Sequence, residues 1–378
     1  MGDIYEDSLE LHRAHAGKLE VKSKVPLEDR RDLSLAYTPG VGRVSEEIGK
    51  DPKLAQKYTL KKNTIAIVSD GSAILGLGNL GPEAAIPVME GKAILFKHFA
   101  NVDAFPICLA TQDVDEIVAT VTRIAPVFGG VNLEDIAAPR CFEVERRLQK
   151  ELAIPVMHDD QHGTAVVVLA GLVNALALRG SEPGKVRVVM SGAGAAGTAV
   201  AKLLLEYGVK DIVICDSKGA IAPARADLND EKKELAQATN PRKVSGTLAE
   251  AIKDADIFIG VSKPGVLTEA MIKTMASRPI VFALANPIPE IMPDAAKAAG
   301  AFIVATGRSD FSNQVNNILA FPGIFRGALD HGIVQFKDVM FLAAAKKLAA
   351  CVKDPSPDKI LPGPFEKGIA EAVAEAIR

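Results

Sequence analysis

The chain has 378 residues, 48% hydrophobic and 24% charged, and its 44 basic and 47 acidic side chains leave a formal net charge of −3. That length exceeds one ordinary core and points to two domains of middling size, while balanced charge of both signs excludes the basic footprint of a nucleic-acid binder. The longest apolar run, residues 165–178, contains Asn174 and falls short of the about 20 residues a membrane span needs.

The N-terminus is charged throughout and lacks the apolar segment of a signal peptide, so a cytoplasmic protein is expected. Cys108, Cys141, Cys215 and Cys351 are widely spaced, which argues against a disulfide framework or a zinc ribbon.

In chain order, "NTIAIVSDG" (63–71), "GKAILFKH" (91–98) and "DAFPICLAT" (103–111) read as buried strands. "GLGNLG" (76–81) has dinucleotide-turn spacing, but Pro82 follows and Pro87 interrupts, so a glycine-rich loop with no long helix after it is expected. "DVDEIVATVTRIAPVF" (113–128) has the helical spacing of Ile117, Val121 and Ile124. In "VNLEDIAAPR" the adjacent acids Glu134 and Asp135 fall outside any clear helical period; they repel unless a cation or solvent separates them. A solvated loop pair is an equal reading.

"MHDDQHGT" (157–164) crowds His158, Asp159, Asp160 and His162 against an apolar helix. The two histidines stand four apart as in a zinc-protease helix, but Pro155 upstream and Gly163–Thr164 after them put the motif at a strand-to-helix junction. One aspartate capping the helix is a plain alternative that leaves the other idle. A hard-cation site for Mg²⁺ or Mn²⁺ explains both carboxylates better.

From Lys185 strict α/β alternation takes over, with strands at "KVRVVMSG", "DIVICD", "ADIFIGVS", "PIVFALANP" and "AFIVATG". Such alternation makes a parallel, doubly wound sheet. Thr247 and Glu250 form a capping box at one of its helices. "GAGAAG" (192–197) lies between strand and helix: Gly192 permits the turn, Gly194 lets backbone approach a pyrophosphate, and Gly197 allows close packing. Asp216 ends the next strand, where a carboxylate accepts from an adenosine ribose and favours NAD over NADP; Lys218 and Arg225 soften that preference. The tail from Gln314 is helical and is expected to pack back on the first domain.

Taken together and in order, "AYTPGVG", "SDGSAILGLGNLGPEAAIPVMEGKAILF", "VNLEDIAAP", "HDDQHGTA", "GAGAAG" and "LANP" resemble a malic enzyme of the shorter bacterial and archaeal kind over nearly the whole chain. The resemblance implies oxidative decarboxylation of L-malate to pyruvate and CO2 with NAD, or NADP, and a divalent metal, in a homodimer. It implies Glu134, Asp135 and Asp160 as metal ligands with Asp159 beside the metal, Lys92 as base and Tyr37 as proton donor. The dinucleotide would lie on Gly192, Gly194, Ala195, Ala196, Gly197 and Asp216; Asn286 would contact both malate and nicotinamide, and Asn317 the substrate carboxylate.

On residue type alone, a single lysine is more often a surface lysine, the tyrosine a core one, and either asparagine a turn residue. Strand alternation would put Lys92 on the face of Ile94 and Phe96, with Lys97 opposite; desolvation of Lys92 there, near a metal, would lower its pKa. One departure stands out: the arginine that binds a malate carboxylate in the larger malic enzymes is Ala73 here, leaving Ser72, glycine-loop amides or another basic residue to substitute.

The expected fold is therefore α/β: an N-terminal mixed α/β catalytic domain (1–155), a Rossmann NAD(P)-binding domain (156–312), and a C-terminal helical segment (313–378) returning to the cleft. Rival readings are a malate-to-lactate enzyme, a non-catalytic NAD-binding regulatory protein and a zinc hydrolase.

Overall fold

Continuous runs of Val, Ile and Ala build two sheets in the computed structural model, which describes residues 3–378. The first contains β1 (Thr64–Ser69), β2 (Asp103–Cys108), β3 (Gly130–Leu133) and β4 (Val156–His158), ordered β2-β1-β3-β4 and all parallel. The second contains β5 (Arg187–Ser191), β6 (Asp211–Asp216), β7 (Gly219–Ala220), β8 (Ile257–Gly260), β9 (Ile280–Ala283) and β10 (Ile303–Thr306). Its order is β10-β9-β8-β5-β6-β7, with only β7 antiparallel. Parallel sheets need cover on both faces, which is why their strands read as unbroken apolar runs.

Alternate residues supply that cover. Ala66 and Val68 of β1 join Ile117 and Val121 in one core, while Ile65 and Ile67 face Met89 and Phe96 in another. The second core runs on through the Asp159–Arg179 helix into the second sheet, where it meets Val188 and Met190. This 21-residue helix is long and apolar enough to cross a membrane by composition, yet 72% of its most apolar window is buried inside the protein. A helix apolar all round is a core helix when other elements surround it. In its middle, Asn174 donates to the carbonyls of Ala349 and Ile360, at 2.9 Å each, so the polar group is satisfied in the core.

The C-terminal helices do pack back on the first sheet's layer. Phe321 and Phe325, on the Phe321–His331 helix, meet Phe96 edge-on at 4.6 and 5.6 Å, and Arg326 donates to Asn63 at 2.6 Å. The capping box at Thr247 and Glu250 is present as expected.

Two sequence expectations fail together. Residues 91–98 are not a strand: they lie in a 19-residue helix, Pro82–Ala100, which starts directly after the glycine-rich loop. Pro82 takes the first helical position, where its missing N–H is no loss. Pro87 forgoes one bond near the N-terminal end, and burial of Ala85, Met89, Lys92, Ala93, Phe96 and Ala100 along one face offsets it. Lys92 therefore shares its face with Met89 and Phe96, while Ile94 and Lys97 are turned outward.

Candidate active site

The carboxyl ends of the first sheet's strands gather the chemistry. Glu134 and Asp135 follow β3, and Asp159 and Asp160 open the helix that follows β4. Parallel register sets Leu133 beside His158, so the two acidic pairs meet side by side. One carboxylate oxygen from each of Glu134, Asp135 and Asp160 lies within 4.8 Å of the other two. The backbone N–H of Asp135 donates to Asp160 at 2.9 Å, and Asn132 donates to Glu134 at 3.0 Å.

Lys92 enters this group from the Pro82–Ala100 helix. Its ammonium is hydrogen-bonded to Asp159, stands 3.2 Å from Glu134, and lies over the Phe321 ring, 4.2 Å from the centroid. Burial alone would push Lys92 down, but the charges of Asp159 and Glu134 outweigh it and hold the ammonium above its ordinary value. Desolvation does lower the Lys92 pKa, but the helix aims the side chain between two carboxylates whose charges exceed that effect.

The acids carry the opposite strain. Burial and then the charge of Asp160 push Asp135 up to about 8, and burial raises Glu134 well above the carboxylate range despite Lys92. Asp135 Oδ2 and Asp159 Oδ1 are buried without a hydrogen-bond partner. Crowded buried carboxylates with unused lone pairs make an oxygen donor set of the kind a hard divalent cation takes. The donor chemistry fits Mg²⁺ or Mn²⁺.

Asn317 joins the group through a close approach that glycine permits: a Cβ on Gly163 would lie 1.8 Å from Asp159 Oδ1 and 3.3 Å from Asn317 Cβ. Asn286 stands exposed in the loop after β9, and a Cβ on Gly76 would come within 2.4 Å of its carbonyl, so the glycine-rich loop and this loop touch. Ala73 donates its N–H to the Asp135 carbonyl at 3.0 Å. The Ser72 hydroxyl is occupied, donating to Asp70 and accepting from the Ala137 N–H. Arg140, which pairs with Asp70 at 3.1 Å, is the guanidinium joined to this loop.

Tyr37 is not brought in. It caps the Arg30–Ala36 helix before the turn into Gly40–Lys50, and its side chain is 68% exposed.

The dinucleotide turn has the geometry its glycines suggest: Gly192 adopts φ +113°, and a Cβ at Gly197 would lie 2.0 Å from the Gly192 carbonyl. Ala195 and Ala196 start the Ala195–Tyr207 helix, and no side chain caps the N–H groups of its first turn. The turn before them, Gly192 to Gly194, borders a cavity of about 700 Å³ lined also by Asp216, Lys218, Lys232 and Ser262. Asp216 is not a free carboxylate: Arg225 donates to it at 2.8 and 3.2 Å and Lys232 at 2.7 Å. Burial would raise its pKa, but these cations dominate and bring it down to about 2.

The two histidines do not converge on one point. The His162 ring pairs with Glu145 at 3.0 Å, whereas His158 is fully buried with its Nδ1 3.8 Å from Asp160. Among the described residues, the metal-capable group is the carboxylate trio, which leaves the zinc reading without a site. Sequence reasoning missed Glu145 and Phe321. The signal for Glu145 was the second histidine of "MHDDQHGT", which no role had absorbed.

Comparison with known proteins agrees across the chain. Residues 16–149 match the family model for the malic enzyme N-terminal domain, and residues 161–377 match that for the malic enzyme NAD binding domain. The chain is 58% identical over 377 residues to a bifunctional malic/malolactic enzyme of Bacillus subtilis, covering 99% of this chain and 92% of the relative. It is 54% identical over 363 residues to an NAD-dependent malic enzyme of Geobacillus stearothermophilus, covering 96% and 76%. The crystal structure of an NAD-dependent malic enzyme from Thermotoga maritima superposes with a TM-score of 0.96 at 49% identity, covering 98% of each chain.

Proposed function

This chain belongs to the malic enzyme family, and from that membership we propose that it is an enzyme oxidising L-malate to pyruvate and CO2 with NAD, dependent on Mg²⁺ or Mn²⁺. The observation that carries this reading is Lys92, buried among Glu134, Asp135, Asp159 and Asp160 beside Asn317. A non-catalytic NAD-binding protein has no need of a buried lysine in a nest of acids, whose assembly costs folding energy.

Glu134, Asp135 and Asp160 would hold a divalent cation, whose Lewis-acid charge would be available to the malate hydroxyl and to the carbonyl oxygen it becomes. Lys92 accepts the hydroxyl proton as hydride leaves C2 for the nicotinamide. Asp159, hydrogen-bonded to Lys92 and with its own carboxyl raised by burial, can hold the proton that Lys92 must give up beforehand. Asn317 and Asn286 orient the substrate, and the amides of Ala195 and Ala196 receive the pyrophosphate. After the C3–C4 bond breaks and CO2 departs, Tyr37 protonates C3 of the enol.

An exposed Tyr37 can do this only if it is brought to a cleft. The N-terminal helices Ile4–His15, Arg30–Ala36 and Gly40–Lys50 bury no side chain and leave Ile4, Leu9, Leu35 and Tyr37 more than half exposed. That apolar surface supports a homodimer in which Tyr37 serves the partner subunit's site. Mixing inactive Lys92→Ala and Tyr37→Phe proteins under subunit exchange should then restore about a quarter of wild-type activity, since half the dimers carry one intact site. If Tyr37 serves its own chain, the mixture stays inactive.

For the nucleotide, NAD remains the preferred partner, with NADP used as well because Arg225 and Lys232 neutralise Asp216. Asp216→Ser frees Lys232 for a 2′-phosphate and leaves Arg225 paired with Asp227 alone, and should move the NADP-to-NAD ratio of kcat/KM upward. Because β4 (Val156–His158) pairs into the first sheet, we place the boundary between catalytic and nucleotide domains after it rather than at residue 155, start the C-terminal helical segment after residue 312, and place the chain in the cytoplasm, where its four free cysteines stay reduced.

The test is turnover of L-malate with Mn²⁺ and either nucleotide, reading reduced cofactor and pyruvate together. One pyruvate per reduced cofactor, lost on chelation, is the expected result; reduced cofactor without pyruvate would contradict it. The bifunctional malic/malolactic character of the Bacillus subtilis relative favours a second reading, conversion of malate to lactate. Lactate formed without net reduced cofactor would identify it.

A further inference from the structure

Behind the acidic cluster, one carboxylate gathers three hydrogen bonds from a single turn. Glu145, on the Arg140–Glu151 helix, is 6% exposed. It accepts from the backbone N–H of His158 at 2.8 Å, from the Gln161 side chain at 3.0 Å, and pairs with His162 Nε2 at 3.0 Å. These three donors flank Asp159 and Asp160 on both sides in sequence.

Local capping does not hold this turn. His158 is the N-cap residue, and no side-chain cap hydrogen bond is made there, although the turn opens a buried 21-residue helix. Its first two residues are carboxylates that repel Glu134 and Asp135 across the cluster, so a loose turn would rotate to separate them. His162 is itself fixed: its ring stacks on Phe341 with centroids 4.7 Å apart and planes 16° from parallel. Glu145 is held below its ordinary range, because His162 outweighs the burial that would raise it, so the acceptor is a charged one.

We propose that Glu145 is a positioning residue that clamps the first turn of the Asp159–Arg179 helix and so presets Asp159 and Asp160 for a divalent cation. This inference rests on the metal-site reading above. Glu145 touches neither substrate nor cluster; it acts through the N–H of His158 and the side chains of Gln161 and His162. Groups that orient metal ligands in this way typically contribute tenfold to a hundredfold in affinity.

The experiment titrates the full-length protein with Mn²⁺ alone, by calorimetry and by the electron paramagnetic resonance of free Mn²⁺, with no turnover required. Glu145→Ala should weaken Mn²⁺ binding by about tenfold or more, while NADH binding, read by fluorescence, stays unchanged and reports an intact nucleotide domain. Glu145→Gln keeps an uncharged carbonyl acceptor for the His158 N–H and should recover part of the loss. A folded Glu145→Ala protein that binds Mn²⁺ as wild type does overturns the clamp. Should the alanine variant not fold, Glu145→Gln decides: wild-type affinity overturns the proposal, and a measurable loss supports it. Wild-type protein that binds no Mn²⁺ removes the metal reading, and the clamp with it; loss confined to the variants separates the two failures.

Discussion

Replacing Lys92 by alanine lowers malate turnover by about a thousandfold, the middle of the range for losing a positioned proton carrier, with KM for the nucleotide unchanged. The prediction draws on position before chemistry. Lys92 projects from the middle of the Pro82–Ala100 helix into contact with Asp159 and Glu134, and its only other neighbour of note is the Phe321 ring. A second effect accompanies the first: alanine leaves two buried carboxylates without their cation, a loss of about 3–5 kcal/mol when one partner of a buried pair is removed. The metal-free variant should melt well below wild type, and Mn²⁺ should recover much of that difference. Steady-state rates and thermal melts with and without Mn²⁺ check both halves. Unimpaired turnover would remove Lys92 from the mechanism.

Asp135→Asn and Asp160→Asn should each weaken Mn²⁺ binding by at least about a hundredfold, since losing a ligand costs no less than losing a group that orients one, for which a hundredfold is the upper end, and abolish turnover at ordinary metal concentrations. Wild-type binding also has a definite pH dependence. Burial and then Asp160 push Asp135 up to about 8, so at neutral pH the metal-free site keeps a proton that the cation must displace. Affinity for Mn²⁺ should therefore climb as pH rises towards 8 and level off above it, with proton release detectable in weak buffer. The same shift acts on stability with the opposite sense. A carboxyl whose folded pKa is above its unfolded one binds protons more tightly when folded, so the metal-free fold loses stability as pH rises from about 4 to 8. Melts that were flat across that interval, together with pH-independent Mn²⁺ affinity, would contradict the assignment.

The second sheet was largely legible in the sequence, because parallel strands buried on both faces are written as short β-branched runs and their turns as glycine and cap signals. The capping box at Thr247 and Glu250 and the turn at Gly192–Gly197 are likewise local: every group that makes them lies within a few residues. The Pro82–Ala100 helix was misread since "AILF" looks like a strand and Pro87 looks like a break. The buried face of Ala85, Met89, Ala93, Phe96 and Ala100 carried the helical period, but what buries it comes from remote parts of the chain, Phe321 and Phe325 among them.

By itself the sequence determined the α/β class, the dinucleotide turn and which residues are acidic, basic or capping, since these follow from side-chain chemistry and spacing along a few turns of chain. Only the tertiary structure decided that Lys92 is a helical residue held charged by Asp159 and Glu134, that Arg225 and Lys232 occupy Asp216, that Glu145 takes up His162, and that Tyr37 stays on the surface. Charge pairing depends on distance through space and on the water excluded around it, and neither quantity is set until the strands have been laid side by side and the helices packed across them.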